Sequence, residues 1–141
     1  MKKSLFAILL VLIICITGFS ANNIEVLVND EAVEFDVQPQ IIQDRVMVPM
    51  RFIFEKLNSS VMYDGETRTI STYLSDKNGQ AQFLIIQINN PKAFVNNNSF
   101  VLDAAPIEVE DRTLVSLDLF EKTLGATVTW DEQNMKVSIQ Y

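Results

Sequence analysis

Apolar residues recur every second position over much of the chain, and they switch to helical spacing only in two short stretches. Ile24 to Val28 alternates as a strand, Asn29-Asp30 makes a turn, and Ala32 to Asp36 returns. Asn and Asp suit a tight hairpin because both tolerate positive φ. A proline-containing loop and a short strand, Arg45 to Val48, follow. Met50, Ile53, Phe54 and Leu57 then stand at i, i+3, i+4 and i+7, one face of a helix that Pro49 opens. Next, Val61-Met62-Tyr63 faces Thr69-Ile70-Ser71 around a turn that begins at Asp64. Thr72 to Ser75 and Gln82 to Ile88 flank Asp76-Lys77-Asn78-Gly79 as a further hairpin. Phe83, Leu84, Ile85, Ile86 and Ile88 make the last of these strands the most apolar, which predicts a central place in a sheet.

The same order of elements returns 67 residues later without a gap. Asn29 falls on Asn96, Asp36 on Asp103, Pro39 on Pro106, Asp44-Arg45 on Asp111-Arg112, Leu57 on Leu124 and Asp64 on Asp131. Tyr63 aligns with Trp130, and Ile70 with Val137. The second helix carries Leu117, Phe120 and Leu124. Ser116 is its expected N-cap, with Asp118 near the positive helix end. Gly125 ends it where Asn58 ends the first, and these residues best accept a left-handed C-terminal conformation. No linker or low-complexity tract separates the copies. The expectation is an α+β fold, antiparallel strands and hairpins packed around two short helices, internally duplicated. It forms one domain over 21–141, with halves at about 24–75 and 82–141. A half of about 60 residues is marginal alone.

The first residues follow a different pattern. Lys2 and Lys3 precede twelve apolar residues, Leu5 to Ile16, and then Gly18, Ser20 and Ala21. This is the arrangement of an export signal over 1–20, and the apolar run is short of the ~20 residues needed to span a membrane. Losing Lys2 and Lys3 takes the net charge from −7 to −9. Cys15, the one cysteine, would leave with the signal; lipid anchoring through Cys15 is a minority alternative, because Ile14 sits where a small residue is usual. The mature chain then folds without disulfides. The acidic balance argues against nucleic acid as a partner. The absence of histidine removes Ser-His-Asp and Cys-His chemistry and the imidazole metal ligands.

The stretch Asp44-Arg45-Val46-Met47-Val48-Pro49-Met50-Arg51-Phe52-Ile53 carries a resemblance. So do Val61-Met62-Tyr63-Asp64 and Leu124-Gly125-Ala126-Thr127-Val128-Thr129-Trp130-Asp131. The chain resembles the copper amine oxidase N-terminal domain-like family, also called the stalk domain, over about residues 24 to 141. The resemblance implies an α+β domain of secreted and cell-surface bacterial proteins with no catalytic duty. Copper and the tyrosine-derived cofactor of the amine oxidases belong to a different domain. Two departures stand out. Ser116-Leu117-Asp118 replaces the family's Pro-Leu-Arg, which reverses a charge, and Asn58-Ser59-Ser60 replaces part of the first Leu-Gly-Ala segment.

Candidate contacts for a ligand or partner are Arg45, Arg51, Tyr63, Arg112 and Trp130. Arg45 and Arg112 either grip an anionic wall polymer or pin a turn through an ion pair. Tyr63 and Trp130 either stack on sugars or pack in the core; exposure of Tyr63, Tyr73, Phe94 and Trp130 discriminates. Asp64 and Asp131 either form a hydrolytic carboxylate pair or cap their own turns. Asp76 to Gly79 is too short for a calcium-binding helix-loop-helix and reads as a turn. No catalytic, cofactor or metal residue is assigned. The expected function is a secreted or envelope binding or spacing module. Its partner is a cell-wall polymer or an envelope protein. The alternatives are a wall-glycan-binding module and a carboxylate-dependent hydrolase.

Overall fold

The computed structural model describes residues 23–141; the export segment and Cys15 lie outside the described residues. Thirteen strands and two helices follow one another. In chain order they are β1 (Glu25–Val28), β2 (Glu31–Ala32), β3 (Gln40–Ile42), β4 (Arg45–Pro49), α1 (Met50–Lys56), β5 (Val61–Asp64), β6 (Thr69–Ser75) and β7 (Ala81–Gln87). Then come β8 (Asn90–Val95), β9 (Asn98–Val101), β10 (Ile107–Val109), β11 (Arg112–Ser116), α2 (Asp118–Leu124), β12 (Thr127–Asp131) and β13 (Lys136–Gln140). The fold is α+β and mostly antiparallel.

Three sheets result. A closing sheet runs β12-β13-β1-β2, a bridging sheet β10-β11-β4-β3, and a five-stranded sheet β5-β6-β7-β8-β9. β7, the most apolar strand, is the central one of its sheet. Thr69 to Ser75 forms one continuous strand that pairs with β5 and with β7, so the expected two separate pieces are joined. The return strand after Asn29-Asp30 is shorter than the alternation predicts, only Glu31–Ala32. One pairing departs from the antiparallel expectation: β1 lies parallel to β13 and ties the start of the described fold to its end.

Local signals explain most element ends. Asn29 and Asp30 take φ of 47° and 66°, the double positive turn that Asn-Asp tolerates. Gly125 ends α2 at φ 65°, and Asn58 follows α1 at φ 58°. The start of α2 differs from expectation. The N-cap position is Leu117, and no side chain caps the helix. Ser116 is the last residue of β11, and its hydroxyl donates to the Asp118 carboxylate instead.

The main core lies between the helices and the sheets. Phe54 of α1 and Phe120 of α2 meet with ring centroids 5.4 Å apart, both fully buried. Val48 and Val115 face this core, as do Val26, Val137 and Ile139 of the closing sheet and Ile70, Leu84 and Ile86 of the five-stranded sheet. The next residues along β4 and β11, Met47 and Leu114, point to the other face and pack with Val37. The bridging sheet is therefore covered on both sides. Among the described residues no helix is long and apolar enough to cross a membrane.

Candidate functional site

The bridging sheet positions the two arginines singled out by the sequence. Arg45 starts β4 and Arg112 starts β11, each after a residue pair with positive φ, Gln43-Asp44 and Glu110-Asp111. Each reaches an Asp 67 positions from the other's partner. Arg112 binds Asp36 with Nε at 3.1 Å and Nη2 at 2.5 Å from Oδ2. Arg45 Nη1 lies 3.6 Å from Asp103 Oδ2. The Arg112 guanidinium beside Asp36 holds that carboxyl below its ordinary range, and Asp36 in turn raises Arg112. Both arginines thus form ion pairs between residues distant in sequence, a geometry that joins segments rather than presenting two free cations.

Arg51 stands apart. Among the described residues, Arg45, Arg68 and Arg112 have ion-pair partners and Arg51 has none. It follows Met50 at the start of α1, is exposed, and lines a pocket of about 320 Å³. Pro49, Met50, Val61, Ile70 and the Tyr63 ring line this pocket as an apolar floor. Glu108, Asp111, Arg112 and Thr113 supply a polar rim from β10, β11 and their turn. Tyr63 stands opposite Ile70 on the edge strand β5, lines the pocket and is 46% exposed. Three sequence-predicted contacts, Arg51, Tyr63 and Arg112, therefore meet at one place. Pattern reading missed Glu108 and Thr113, which reach the site only through strand pairing.

The other two candidates lie elsewhere. Arg45 lines a smaller pocket of about 200 Å³ with Val46, Ser116, Leu117, Asp118 and Val128. Trp130 is half-buried and packs against the main core. Here position 118 is a carboxylate with its own partners. Asp118 accepts from Lys122 Nζ at 2.7 Å, from the Asp103 backbone N–H at 2.9 Å and from the Ser116 hydroxyl. Burial pushes the Asp118 carboxyl up, but the bonds from Lys122, Ser116 and Asp103 outweigh it, and its pKa ends below the ordinary value.

The remaining carboxylates cap turns. Asp64 accepts from the Glu66 N–H at 2.9 Å and the Thr67 N–H at 3.3 Å. Asp131 accepts from Asn134 Nδ2 at 2.7 Å and from its N–H at 3.1 Å. These bonds hold both carboxyls below their usual range, so each is an ionised turn cap on the surface. Neither lines the pocket at Arg51. Asp76 likewise binds the N–H groups of Asn78 and Gln80 in its own turn. Among the described residues no group of three or more Asp, Glu, His or Cys is placed to hold a metal, and the chain has no histidine to offer copper.

These features define a mostly antiparallel α+β domain with two seven-residue helices and a polar-rimmed pocket at the first. The chain belongs to the copper amine oxidase N-terminal domain family, which matches it over residues 27–139. That family is a non-catalytic N-terminal domain. No curated protein and no solved structure matches the chain.

Proposed function

We propose that this chain is an exported binding or spacing module of the bacterial envelope, and that its ligand contact is the pocket beneath Arg51. The observation that carries the reading is the unpaired guanidinium above an apolar floor. A ligand with an anionic group and an apolar or ring-shaped body fits it: the charge meets Arg51, and the body lies against Tyr63, Met50 and Val61. A cell-wall polymer bearing carboxylates or phosphates has that character, as does an acidic segment of an envelope protein. Export rests on the N-terminal pattern of residues 1–20.

The module is one domain built from two copies of a single unit. Several features support this. The positive-φ residues Asn29, Gln43, Asp44, Asn58 and Arg68 have counterparts 67 positions on: Asn96, Glu110, Asp111, Gly125 and Met135. Val48 stands directly opposite Val115, also 67 positions away, while Met47 faces Ser116 and Pro49 faces Leu114. An approximate twofold axis through the β4–β11 pairing accounts for all of these.

The test is retention of residues 21–141 on purified wall fractions and on envelope protein extracts. Retention lost in Arg51→Ala and Tyr63→Ala, but kept in Arg45→Ala, is the expected result. Equal retention of all four proteins removes the pocket from the function.

A further inference from the structure

The five-stranded sheet turns one face to the core and the other outward, and its outward face is unlike the rest of the surface. Strand pairing aligns Met62, Ser71, Ile85, Phe94 and Ser99 in one row across all five strands. Tyr73 and Phe83 form the neighbouring row, their rings 4.5 Å apart. Lys92 and Val101 pair on the same face. Tyr73 is 66% exposed, Val101 64% and Met62 50%. In a chain with 18 Asp and Glu residues, the only carboxylate these pairings put on this face is Asp64, at a corner.

The closing sheet supplies an internal control. It has the same strand order without the inserted β7. Where the five-stranded sheet shows Met62, Tyr73, Phe94 and Lys92, the closing sheet shows Thr129, Gln140, Leu27 and Glu25, each 67 positions away. Its outer face is the ordinary water-facing kind, with Glu25 beside Lys136 and Asp131. Sheet geometry therefore does not demand an apolar outer face. An apolar patch of this kind on a soluble surface marks a place where another surface docks.

We propose that the outer face of the five-stranded sheet is the interface of a homodimer, a second copy stacking sheet on sheet. Two observations select a copy of this chain. The first is area. The five strands hold 4, 7, 7, 6 and 4 residues, and at about 3.3 Å per residue and about 4.8 Å spacing they cover about 440 Å² per copy. Two copies bury about 890 Å², the size of a weak, reversible interface and not of a permanent one. The second is charge. Every copy is strongly acidic, so copies repel each other except across a face nearly free of carboxylates. A twofold axis along the strands sets Asp64, on the edge strand β5, against the β8–β9 side of the other copy, where Lys92 lies. The two charges on this face then oppose each other in both directions. Aligned sheet packing at about 10 Å gives the rings of Tyr73, Phe83 and Phe94 a partner surface.

Sedimentation equilibrium of residues 21–141, which hold every strand and helix of the described residues, tests the proposal. A mass of twice the monomer at tens of micromolar is expected. Tyr73→Glu/Phe94→Glu should weaken self-association at least 20-fold with unchanged circular dichroism, and Thr129→Glu on the closing sheet should leave it unaltered. Val101→Lys, at an exposed edge position, is the milder variant should the double one fail to fold, and it too should weaken association. A monomer at millimolar concentration overturns the proposal. So does a dimer that survives Tyr73→Glu/Phe94→Glu and Val101→Lys, or a monomer retained on wall glycan through this face.

Discussion

Residues 51 and 118 stand 67 positions apart, one beside the start of each helix, and they have opposite charge and opposite surroundings. Asp118 is 7% exposed and accepts bonds from Lys122, Ser116 and the Asp103 N–H. Arg51 is exposed, has no ion-pair partner among the described residues, and lines a larger pocket with an apolar floor and a polar rim. One end has used its polar groups on itself, so that the pocket there is small and internally satisfied. The other has left a charge free beside a larger hollow. The difference separates holding the fold together from being available to something else. A group already bonded within the fold gains little from a ligand.

The largest expected effects ignore that difference. Phe54→Ala and Phe120→Ala should each destabilise by about 3 to 5 kcal/mol, because both rings are fully buried in one shared core. Denaturant unfolding should remain a single transition in both variants. A biphasic curve in either one breaks the idea of a single cooperative domain.

Asp118→Ala comes next, at about 2 to 3 kcal/mol, since it removes hydrogen bonds to a buried carboxylate and strands the Ser116 hydroxyl and the Asp103 N–H. The acid limb of the stability curve checks the same site. A folded pKa below the unfolded value of about 3.9 means that the contribution is present above that pH. It is lost as pH falls through the folded pKa. Asp118→Asn should flatten the stability curve below about pH 4, and an unchanged acid limb contradicts the assignment.

Smaller again is Gly125→Ala, expected to cost about 1 kcal/mol in thermal or denaturant unfolding because Gly125 ends α2 in the left-handed region. The added Cβ would also press on the flexible Lys77 side chain at 3.2 Å. At the matching position, Asn58→Gly should be close to neutral. Arg51→Ala should change stability least, within about 0.5 kcal/mol, while abolishing retention on the ligand. A large loss of stability in that variant would show that Arg51 is structural after all.

Much of the fold was legible in local chemistry. Period-two alternation located the hairpins, and i, i+3, i+4, i+7 spacing located the helices. Asn29-Asp30, Asn58 and Gly125 marked positive-φ positions, whereas Gln43, Arg68, Glu110 and Met135 take positive φ without such a signal, and the apolar run at 83–88 announced the central strand β7. Ser116 shows where local reading stopped. A serine before a helix is a good cap by propensity, yet here its hydroxyl is drawn to a carboxylate two residues on. Arg112 and Asp36 show the same limit over a longer range. Their separation of 76 residues carries no sequence signal, and only the antiparallel pairing of β4 with β11 brings them together.

The sequence by itself determined the order and kind of the elements, the family and the absence of histidine. All of these depend on residue type and near-neighbour spacing. Tertiary structure decided which arginine is free, that Tyr63 is exposed while Trp130 is packed, and that one sheet's outer face is apolar where its counterpart is polar. Those outcomes depend on which strands become neighbours, and that is set by closing one core around Phe54 and Phe120, over distances that local pattern does not encode.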